Sequence, residues 1–325
     1  MQRHLVRRWT SSIVRKAGAS SSSALHPPQK LPRFSAVCCD MDGVVWADNE
    51  QIVGSIKALI ALRAAGKPIL FITNGSAKTR RQIASRLDEL GYPCSTDEIV
   101  TSGFVTAAYV RTQLMTSKLT QQQKTVFVIG SAVLRRELEK VGFHVKFVAD
   151  SEPSGLSAGE FIHVEKDASS ISAVVVGFDE KFTYRKLATA SVYLQKTHDL
   201  PLFATNPDYA NRLPNSELLS PECGSIVAAI EASCGGLKRA IYCGKPSSII
   251  VEYCKDKLQV TDPRRILMIG DRLDTDIEFA NRSGFLSCLV LSGCTTQGQV
   301  AAETNPLRKP TVVAADLHDL ISSYM

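Results

Sequence analysis

Asp40 and Asp42 lie two positions apart, directly after the apolar segment Phe34–Cys39, and Gly43 follows them. The segment has the composition of a buried strand, and a charged group at the end of such a strand is unfavourable unless it meets solvent, a metal or a ligand. In open α/β sheets, ligands bind at the carboxyl ends of the strands. The pattern therefore favours two functional carboxylates, while a solvated Asp-x-Asp-Gly turn is the alternative.

A second group of polar residues, Thr73, Asn74 and Gly75, ends the apolar segment that begins at Pro68. A hydroxyl, an amide and the backbone N–H groups of a glycine turn suit an oxyanion such as phosphate. The same residue types are common where a helix begins, so a helix N-cap is the alternative interpretation.

Lys245 stands between a glycine and a proline, after the apolar segment Arg239–Cys243. An ammonium group held in such a rigid loop would balance the charge of a phosphate or of clustered carboxylates. A solvated loop lysine is the alternative.

Three acids, Asp271, Asp274 and Asp276, follow the apolar segment Arg265–Ile269. Acidic residues are favourable at a helix N-terminus because of the helix dipole. They are also the ligands of Mg²⁺, which takes few protein carboxylates and keeps waters and substrate oxygens. A hard-cation site is therefore a second interpretation of this cluster.

Short apolar segments alternate with helical segments along most of the chain, which predicts an α/β fold with a parallel sheet and right-handed crossovers. The predicted strands are Phe34–Cys39, Pro68–Thr73, Thr125–Ile129, Ile171–Gly177, Leu202–Thr205, Arg239–Cys243, Arg265–Ile269, Ser287–Leu291 and Thr311–Ala314. The predicted helices are Gly54–Ala65, Thr79–Leu90, Ala132–Val141, Tyr184–Lys196, Gly224–Ala232, Ser247–Lys257, Asp274–Arg282 and Ala315–Ser323.

Two smaller sheets fit a chain of 325 residues better than one very wide sheet. The polar stretches Leu114–Lys124 and Asn206–Cys223 are suitable connections. They predict a domain at 123–218 inserted into a core made of residues 34–122 and 219–325.

The composition is that of a globular protein, with 44% hydrophobic and 22% charged residues. No apolar run reaches the roughly 20 residues of a membrane span. Seven of the 38 basic residues lie in the first 39 positions, which contain no acid, so the rest of the chain is nearly neutral and does not favour nucleic-acid binding. The nine cysteines are scattered, which indicates a reducing compartment and small buried side chains, Cys38 and Cys39 included.

Residues 1–33 are rich in Arg and Ser and lack acids, which predicts a transit peptide followed by a linker. We expect a mitochondrial location, with the plastid or the cytoplasm as alternatives. A disordered basic tail is the other interpretation of this leader.

Taken in order, D-x-D-G, T-N, G-K-P and G-D-x-x-x-T-D resemble the motifs of the haloacid dehalogenase superfamily of aspartyl phosphatases, and the resemblance covers nearly all of residues 34–325. The phrases DMDGVVW, FITNGSAKTR, VVVGFDEKFTYRKL, GKPSSII and GDRLDTDI are similar to the subgroup of phosphoglycolate phosphatase, the 4-nitrophenylphosphatases and chronophin, a pyridoxal phosphate phosphatase. The resemblance implies a Rossmann-like core with an α/β cap inserted between the second and third motifs.

The resemblance also implies a Mg²⁺-dependent phosphatase. Asp40 matches the nucleophile that forms an aspartyl-phosphate, and Asp42 matches the acid/base. Mg²⁺ would be bound by Asp40, the backbone carbonyl of Asp42 and Asp271, while Asp276 would hold Lys245 or a metal-bound water. The phosphate would be bound by Thr73, Asn74, Gly75 and Lys245.

The resemblance places substrate choice in a cap loop, Thr205–Ser225. Chronophin-like members have a histidine there and this chain has none, which weakens the pyridoxal phosphate interpretation. Arg212 could meet the carboxylate of phosphoglycolate, with a surface arginine as the alternative. The sequence Pro221-Glu222-Cys223-Gly224 departs from the usual P-G-T-G and leaves the shape of the loop open.

We therefore expect a small phosphorylated metabolite as substrate, of the phosphoglycolate or 4-nitrophenyl phosphate type. A pyridoxal phosphate or protein phosphatase of the same subgroup is one alternative, and a catalytically silent regulatory protein is another. Caps of this subgroup often mediate homodimers, so the resemblance also implies a homodimer formed through the cap.

Overall fold

The computed structural model describes residues 31–47, 50–115, 124–212 and 218–324. Most of the predicted leader and the middle of the predicted linker, residues 116–123, lie outside this part of the chain. Within it, no helix combines the length and the apolar character needed to cross a membrane.

The strands and helices of the described residues are numbered in chain order. The strands are β1 Ala36–Cys39, β2 Trp46–Ala47, β3 Glu50–Gln51, β4 Ile69–Thr73, β5 Ile99–Thr101, β6 Thr125–Ile129, β7 His144–Lys146, β8 Ile171–Val176, β9 Leu202–Ala204, β10 Ala210–Arg212, β11 Leu219–Pro221, β12 Ile241–Tyr242, β13 Ile266–Gly270, β14 Leu286–Val290 and β15 Val312–Ala314. The helices are α1 Ser55–Ala64, α2 Arg80–Glu89, α3 Ser102–Met115, α4 Ala132–Lys140, α5 Ala158–Asp167, α6 Tyr184–Lys196, α7 Cys223–Ser233, α8 Val251–Leu258, α9 Glu278–Ser283, α10 Gln297–Ala302 and α11 Leu317–Tyr324.

The core domain contains a parallel sheet in the order β15-β14-β13-β1-β4-β5. Strand β1 lies inside the sheet between β13 and β4, as expected for the strand that ends at Asp40. Its side chains alternate between the two faces. Val37 and Cys39 pack on the side of α1, α2 and α11, and Ala36 and Cys38 pack on the side of α3, α8 and α9. Both cysteines are thus buried packing residues.

A second parallel sheet has the order β12-β9-β8-β6-β7 and forms the centre of the cap. Helices α6 and α7 pack on one of its faces through residues such as Tyr193 and Val227. The predicted end of the inserted domain at residue 218 is wrong. Strand β12 pairs within the cap sheet and helix α7 packs against that sheet, so both belong to the cap. The predicted strand Arg239–Cys243 exists in part, as β12, but it pairs with β9 and not with the core sheet. The sequence alone does not show to which sheet this strand belongs, because a short apolar strand does not reveal its pairing partner.

Helix α3 lies between the two sheets. Its Val105 and Val110 share one apolar cluster with Ile72 of the core sheet and Val128 of the cap sheet. The ring of Tyr109 meets that of Phe203 edge to face at 6.0 Å between centroids. Because α3 packs on two sides, its exposed polar residues are confined to positions 111–113 near its end, and its sequence lacks the repeating apolar and polar pattern that would predict a helix. The helix fixes the cap against the core.

The α/β fold with a Rossmann-like parallel core and a second α/β domain is confirmed, and most predicted elements are present within a few residues of their predicted bounds. The predicted helix Asp274–Arg282 is divided into a wide turn, Leu273–Ile277, and α9. The unpredicted elements are the short strands β2, β3, β5, β7, β10 and β11 and the helices α3, α5 and α10.

Candidate active site

The strand ends that the sequence singled out meet at one cavity of about 470 Å³ between the core and the cap. Asp40 follows β1, Thr73 ends β4 and Asp271 follows β13, so three neighbouring parallel strands deliver their polar residues to the same edge. Lys245 reaches the cavity differently, from the segment that returns from β12 of the cap.

The ammonium group of Lys245 lies at the centre of the site and is 1% exposed. Its Nζ donates to Oδ1 of Asp40 at 2.6 Å, to Oδ1 of Asp276 at 2.6 Å and to the carbonyl of Ile72 at 3.0 Å. Burial lowers the pKa of Lys245, but the two carboxylates outweigh it, and the net pKa is raised. The lysine therefore stays protonated and holds the carboxylate of Asp40 in place.

Asp276 acts as the support of Lys245. While its Oδ1 accepts from Lys245, its Oδ2 accepts from the backbone N–H groups of Asp271 at 3.2 Å and Arg272 at 3.1 Å. With both oxygens engaged, Asp276 matches the predicted role of holding the lysine.

Asp40, Asp271 and Asp276 form a cluster in which one carboxylate oxygen of each lies within 4.8 Å of the others. Burial and the charge of Asp276 raise the pKa of Asp271 to about 7. Burial also raises the pKa of Asp40, against the opposing charge of Lys245. One ammonium does not neutralise this excess of buried negative charge, so the donor set fits a hard divalent cation.

Gly43 makes the turn after the two predicted catalytic carboxylates. Its φ is +78°, and a Cβ there would lie 2.4 Å from Oδ2 of Asp271. A side chain would therefore be strained by the backbone and would displace a predicted metal ligand. This is the physical reason for glycine in the Asp-x-Asp-Gly sequence.

Asp42 lines the cavity with an exposed side chain, and the indole Nε1 of Trp46 donates to its Oδ1 at 2.9 Å. Trp46 is buried at the start of β2, so the hydrogen bond orients the carboxylate toward the site. The sequence showed Trp46 four residues after Asp42, but it gave no sign of this contact.

The predicted phosphate-binding residues Thr73, Asn74 and Gly75 all line the cavity. The backbone N–H of Gly75 donates to Oγ1 of Thr73 at 2.9 Å. Ser76, next to them, is buried in the cavity wall, and its Oγ has no hydrogen-bond partner among the described residues. A hydroxyl left without a partner beside these residues is consistent with an oxyanion ligand.

Asn74 joins the core to the cap. Its Nδ2 lies 3.2 Å from each carboxylate oxygen of Asp208 and 3.0 Å from the carbonyl of Lys245. Asn206 of the cap donates to the carbonyl of Asn74 at 2.9 Å. A second link runs from Arg272, whose Nη1 contacts the side chain of Asn211 at 3.2 Å.

The cap wall of the cavity contains a carboxylate that the sequence did not identify, that of Glu222. Asn211 Nδ2 donates to its Oε1 at 3.0 Å. Burial and the charge of Asp208 raise the pKa of Glu222 to about 7. The sequence shows that Glu222 departs from the P-G-T-G pattern. Only the fold shows that this residue lies in the wall of the cavity.

The predicted substrate ligand Arg212 has its backbone in β10, paired with Leu219 of β11. Its side chain lies outside the described part of the chain.

Family models describe two parts of the chain. One described as haloacid dehalogenase-like hydrolase matches residues 37–144, and one described as HAD-hydrolase-like matches residues 242–320. Together they contain Asp40, Thr73 and Lys245 and the acidic cluster that begins at Asp271.

Two curated relatives cover most of the chain. Phosphoglycolate phosphatase 1A, chloroplastic, of Arabidopsis thaliana is 31% identical over 319 residues, which is 98% of this chain and 85% of that protein. Glycerol-3-phosphate phosphatase of Homo sapiens is 37% identical over 268 residues, covering 80% of each chain. The chain therefore belongs to the haloacid dehalogenase-like hydrolase family and is an enzyme of the phosphatase class.

Solved structures agree with this assignment. The 4-nitrophenylphosphatase of Thermotoga maritima has a TM-score of 0.72 and 29% identity, and the match covers 90% of this chain and 98% of that one. Glycerol phosphate phosphatase of Mycobacterium tuberculosis, in complex with magnesium, has a TM-score of 0.69 and 26% identity over 89% of this chain and 76% of that one.

Proposed function

We propose that this chain is a Mg²⁺-dependent phosphatase that hydrolyses small phosphate monoesters, of the phosphoglycolate or 4-nitrophenyl phosphate type, through an aspartyl-phosphate on Asp40. The observation that carries the proposal is the buried contact of Lys245 with both Asp40 and Asp276, inside a carboxylate cluster and at the base of a cavity. Phosphate monoesters hydrolyse so slowly unaided that enzymes accelerate them by up to about 10²¹. A covalent intermediate divides this barrier into two smaller ones.

In the first step a carboxylate oxygen of Asp40 attacks phosphorus, and the bond from phosphorus to the leaving oxygen breaks. Asp42 gives its proton to that oxygen, so the leaving group departs as a neutral alcohol. Trp46 holds the Asp42 carboxyl in position through its indole N–H. Lys245 orients Asp40 for the attack.

In the second step a water attacks phosphorus of the aspartyl-phosphate. Asp42, now ionised, takes the proton of that water, and the bond from phosphorus to Asp40 breaks. Inorganic phosphate leaves, and both aspartates return to their starting states.

Asp40, Asp271 and the backbone carbonyl of Asp42 would hold Mg²⁺. When bound, the ion supplies charge neutralisation for the phosphoryl oxygens. Thr73, Asn74, Gly75 and Lys245 would bind the phosphate from the other side. The cavity of about 470 Å³ and the cap above it favour a small substrate over a phosphoprotein.

The test is release of phosphate from 4-nitrophenyl phosphate with and without Mg²⁺, followed by a screen of phosphoglycolate, glycerol 3-phosphate, pyridoxal phosphate and phosphopeptides. We expect Mg²⁺-dependent turnover of small substrates that is lost in Asp40→Asn. No turnover, or turnover that survives in Asp40→Asn, would instead support a catalytically silent protein. Asp256→Asn is a suitable control, because Asp256 is exposed on helix α8 and does not line the cavity.

Arg212 remains a proposed ligand of a substrate carboxylate. In that case Arg212→Ala lowers kcat/KM for phosphoglycolate and leaves kcat/KM for 4-nitrophenyl phosphate, which has no carboxylate, within about twofold. An unchanged kcat/KM for phosphoglycolate in Arg212→Ala would identify Arg212 as a surface arginine.

We also propose that residues 1–33 direct the protein to mitochondria, on the basis of their Arg-rich and acid-free composition. A fusion of these residues to a fluorescent protein tests this, and plastid or cytoplasmic fluorescence would contradict it.

A homodimer formed through the cap is a further proposal. Light scattering tests it by measuring the molar mass of the protein in solution.

A further inference from the structure

Glu222 is an acidic residue of the cap that lines the cavity. It lies between strand β11 and helix α7, next to the hairpin of β10 and β11 that carries Asn211. Its side chain lines the same cavity as Asp40 and Asp42, but from the cap side. Glu222 stands where the family pattern P-G-T-G has its first glycine, and Gly224 matches the second.

The backbone of Glu222 does not require glycine, because its φ of −125° and ψ of −170° are ordinary extended values. The residue also does not cap α7, since its side chain makes no capping hydrogen bond. The carboxylate instead accepts from Asn211 across the hairpin. Neither turn geometry nor helix capping therefore explains a glutamate at this position.

The other charged side chains of the cap-side wall are engaged in contacts of their own. Both oxygens of Asp208 lie 3.2 Å from Nδ2 of Asn74. Arg272 donates to both oxygens of Asp274, from Nε at 3.1 Å and from Nη2 at 3.0 Å, and its Nη1 contacts Asn211. Among the described side chains, which do not include that of Arg212, no cation of this wall is left without a partner to face a ligand carboxylate.

The leaving group of a substrate must extend toward this wall. Its phosphorus lies at Asp40, and its leaving oxygen meets Asp42, so the rest of the alcohol points away from the core sheet. Glu222 and Asp42 line the same cavity. An anionic group on the alcohol would therefore enter a region where Glu222 and Asp208 already repel it.

We propose that Glu222 is a specificity residue which favours phosphate monoesters with a neutral, hydroxylated alcohol, such as glycerol 3-phosphate, over those with a carboxylate, such as phosphoglycolate. This proposal and the proposed binding of a carboxylate by Arg212 predict opposite preferences of the wild type, so the first test below decides between them. The proposal rests on the phosphatase function proposed above. The Glu222 carboxylate accepts hydrogen bonds from hydroxyl groups of the leaving alcohol and repels a carboxylate at the same place. Discrimination by an unfavourable contact of this kind is a common source of specificity.

The first test needs no variant. We expect kcat/KM of the full chain with Mg²⁺ at about pH 8 to be roughly tenfold or more higher for glycerol 3-phosphate than for phosphoglycolate. A preference for phosphoglycolate would overturn the proposal. Absence of Mg²⁺-dependent phosphate release from any substrate would overturn the phosphatase function instead, so the two failures are distinguishable.

The second test changes Glu222 itself. Glu222→Gln removes the charge at constant shape, and Glu222→Gly restores the residue of the family pattern. We expect both to shift the ratio of kcat/KM values toward phosphoglycolate by about tenfold. Glu222→Asp keeps the charge and should keep the preference for glycerol 3-phosphate.

The matched control is Glu252→Gln on helix α8, which makes the same chemical change outside the cavity wall. In Glu252→Gln, the ratio of kcat/KM for phosphoglycolate to kcat/KM for glycerol 3-phosphate should equal that of the wild type. A ratio unchanged in Glu222→Gln and Glu222→Gly, with both variants folded by circular dichroism, would show a purely structural role and overturn the proposal. If both variants fail to fold, the first test still applies, and a wild-type preference for phosphoglycolate over glycerol 3-phosphate overturns the proposal.

Discussion

Nζ of Lys245 lies 2.6 Å from Oδ1 of Asp40, although 205 positions separate the two residues in the sequence. The cap is inserted between them, so the closure of this contact requires the chain to leave the core, build a second sheet and return. The same ammonium also contacts Asp276, and the three buried side chains form one charged unit. We expect this unit to determine both the stability of the core and the reactivity of Asp40.

Replacement of Lys245 by Met leaves two buried carboxylates without their cation. We expect a loss of about 3–5 kcal/mol in the free energy of unfolding, measured with urea, because a buried ion pair broken on one side is strongly destabilising. The turnover number should fall by at least about a hundredfold. The control is Lys255→Met, which removes a surface pair with Glu252 and should cost about 0–1 kcal/mol. Full activity in Lys245→Met would refute the role of Lys245.

Trp46→Phe keeps the packing at the start of β2 and removes the hydrogen bond to Asp42. Since a bond to a charged group contributes about 1.5–3 kcal/mol, we expect kcat/KM for glycerol 3-phosphate to fall by roughly tenfold or more. The effect on kcat/KM for 4-nitrophenyl phosphate should be smaller, because kcat/KM reports the first step, in which nitrophenolate leaves without a proton from Asp42. Equal losses of kcat/KM on both substrates would contradict the positioning role.

Mg²⁺ should raise the melting temperature more at about pH 8 than at about pH 6. Burial and Asp276 raise the pKa of Asp271 to about 7, so at the lower pH a proton must leave before the metal binds. In the metal-free protein the folded state holds a proton that the unfolded state releases, so this group lowers stability as pH rises toward about 7. The melting shift should disappear in Asp271→Asn. A shift that persists there would mean that the metal binds elsewhere.

The preference between two substrates should depend on pH through Glu222. Burial, then Asp208, and also Asp42 raise the pKa of Glu222 to about 7, while Asn211 and Arg272 lower it. Below this pH the carboxyl group is neutral, so the ratio of kcat/KM for phosphoglycolate to that for glycerol 3-phosphate should fall as pH rises from about 6 to about 8. The phosphate groups of both substrates titrate alike and cancel in the ratio. If this ratio changes with pH as steeply in the wild type as in Glu222→Gln, the account is contradicted.

The positions that the sequence predicted best are polar residues that directly follow buried strands. Asp40, Thr73 and Asp271 could be found because a charge or hydroxyl at such a place has few structural explanations. The parallel sheet then brings them together without further information, since the carboxyl ends of parallel strands share one edge. The same reasoning found Lys245, although its strand belongs to the other sheet.

Contacts between distant segments were not predictable. The membership of β12 in the cap sheet, the packing of α3 on both sheets and the contact of Asn74 with Asp208 depend on how the two domains meet. Glu222 belongs to this class, because its carboxylate becomes a wall of the active site only when the hairpin β10–β11 lies over the core. Trp46 is a local exception, since its contact with Asp42 spans four residues but requires the turn at Gly43.

The most direct test of the central claim is a burst experiment with Asp42→Asn, Mg²⁺ and 4-nitrophenyl phosphate. This substrate does not need an acid for the first step, but the second step needs Asp42 as base, so the aspartyl-phosphate should accumulate. We predict a rapid release of one nitrophenolate per chain, with phosphate retained on Asp40 and detected by mass spectrometry of the peptide. Release of inorganic phosphate in step with nitrophenolate, without a burst and without a modified Asp40, would contradict the proposed mechanism.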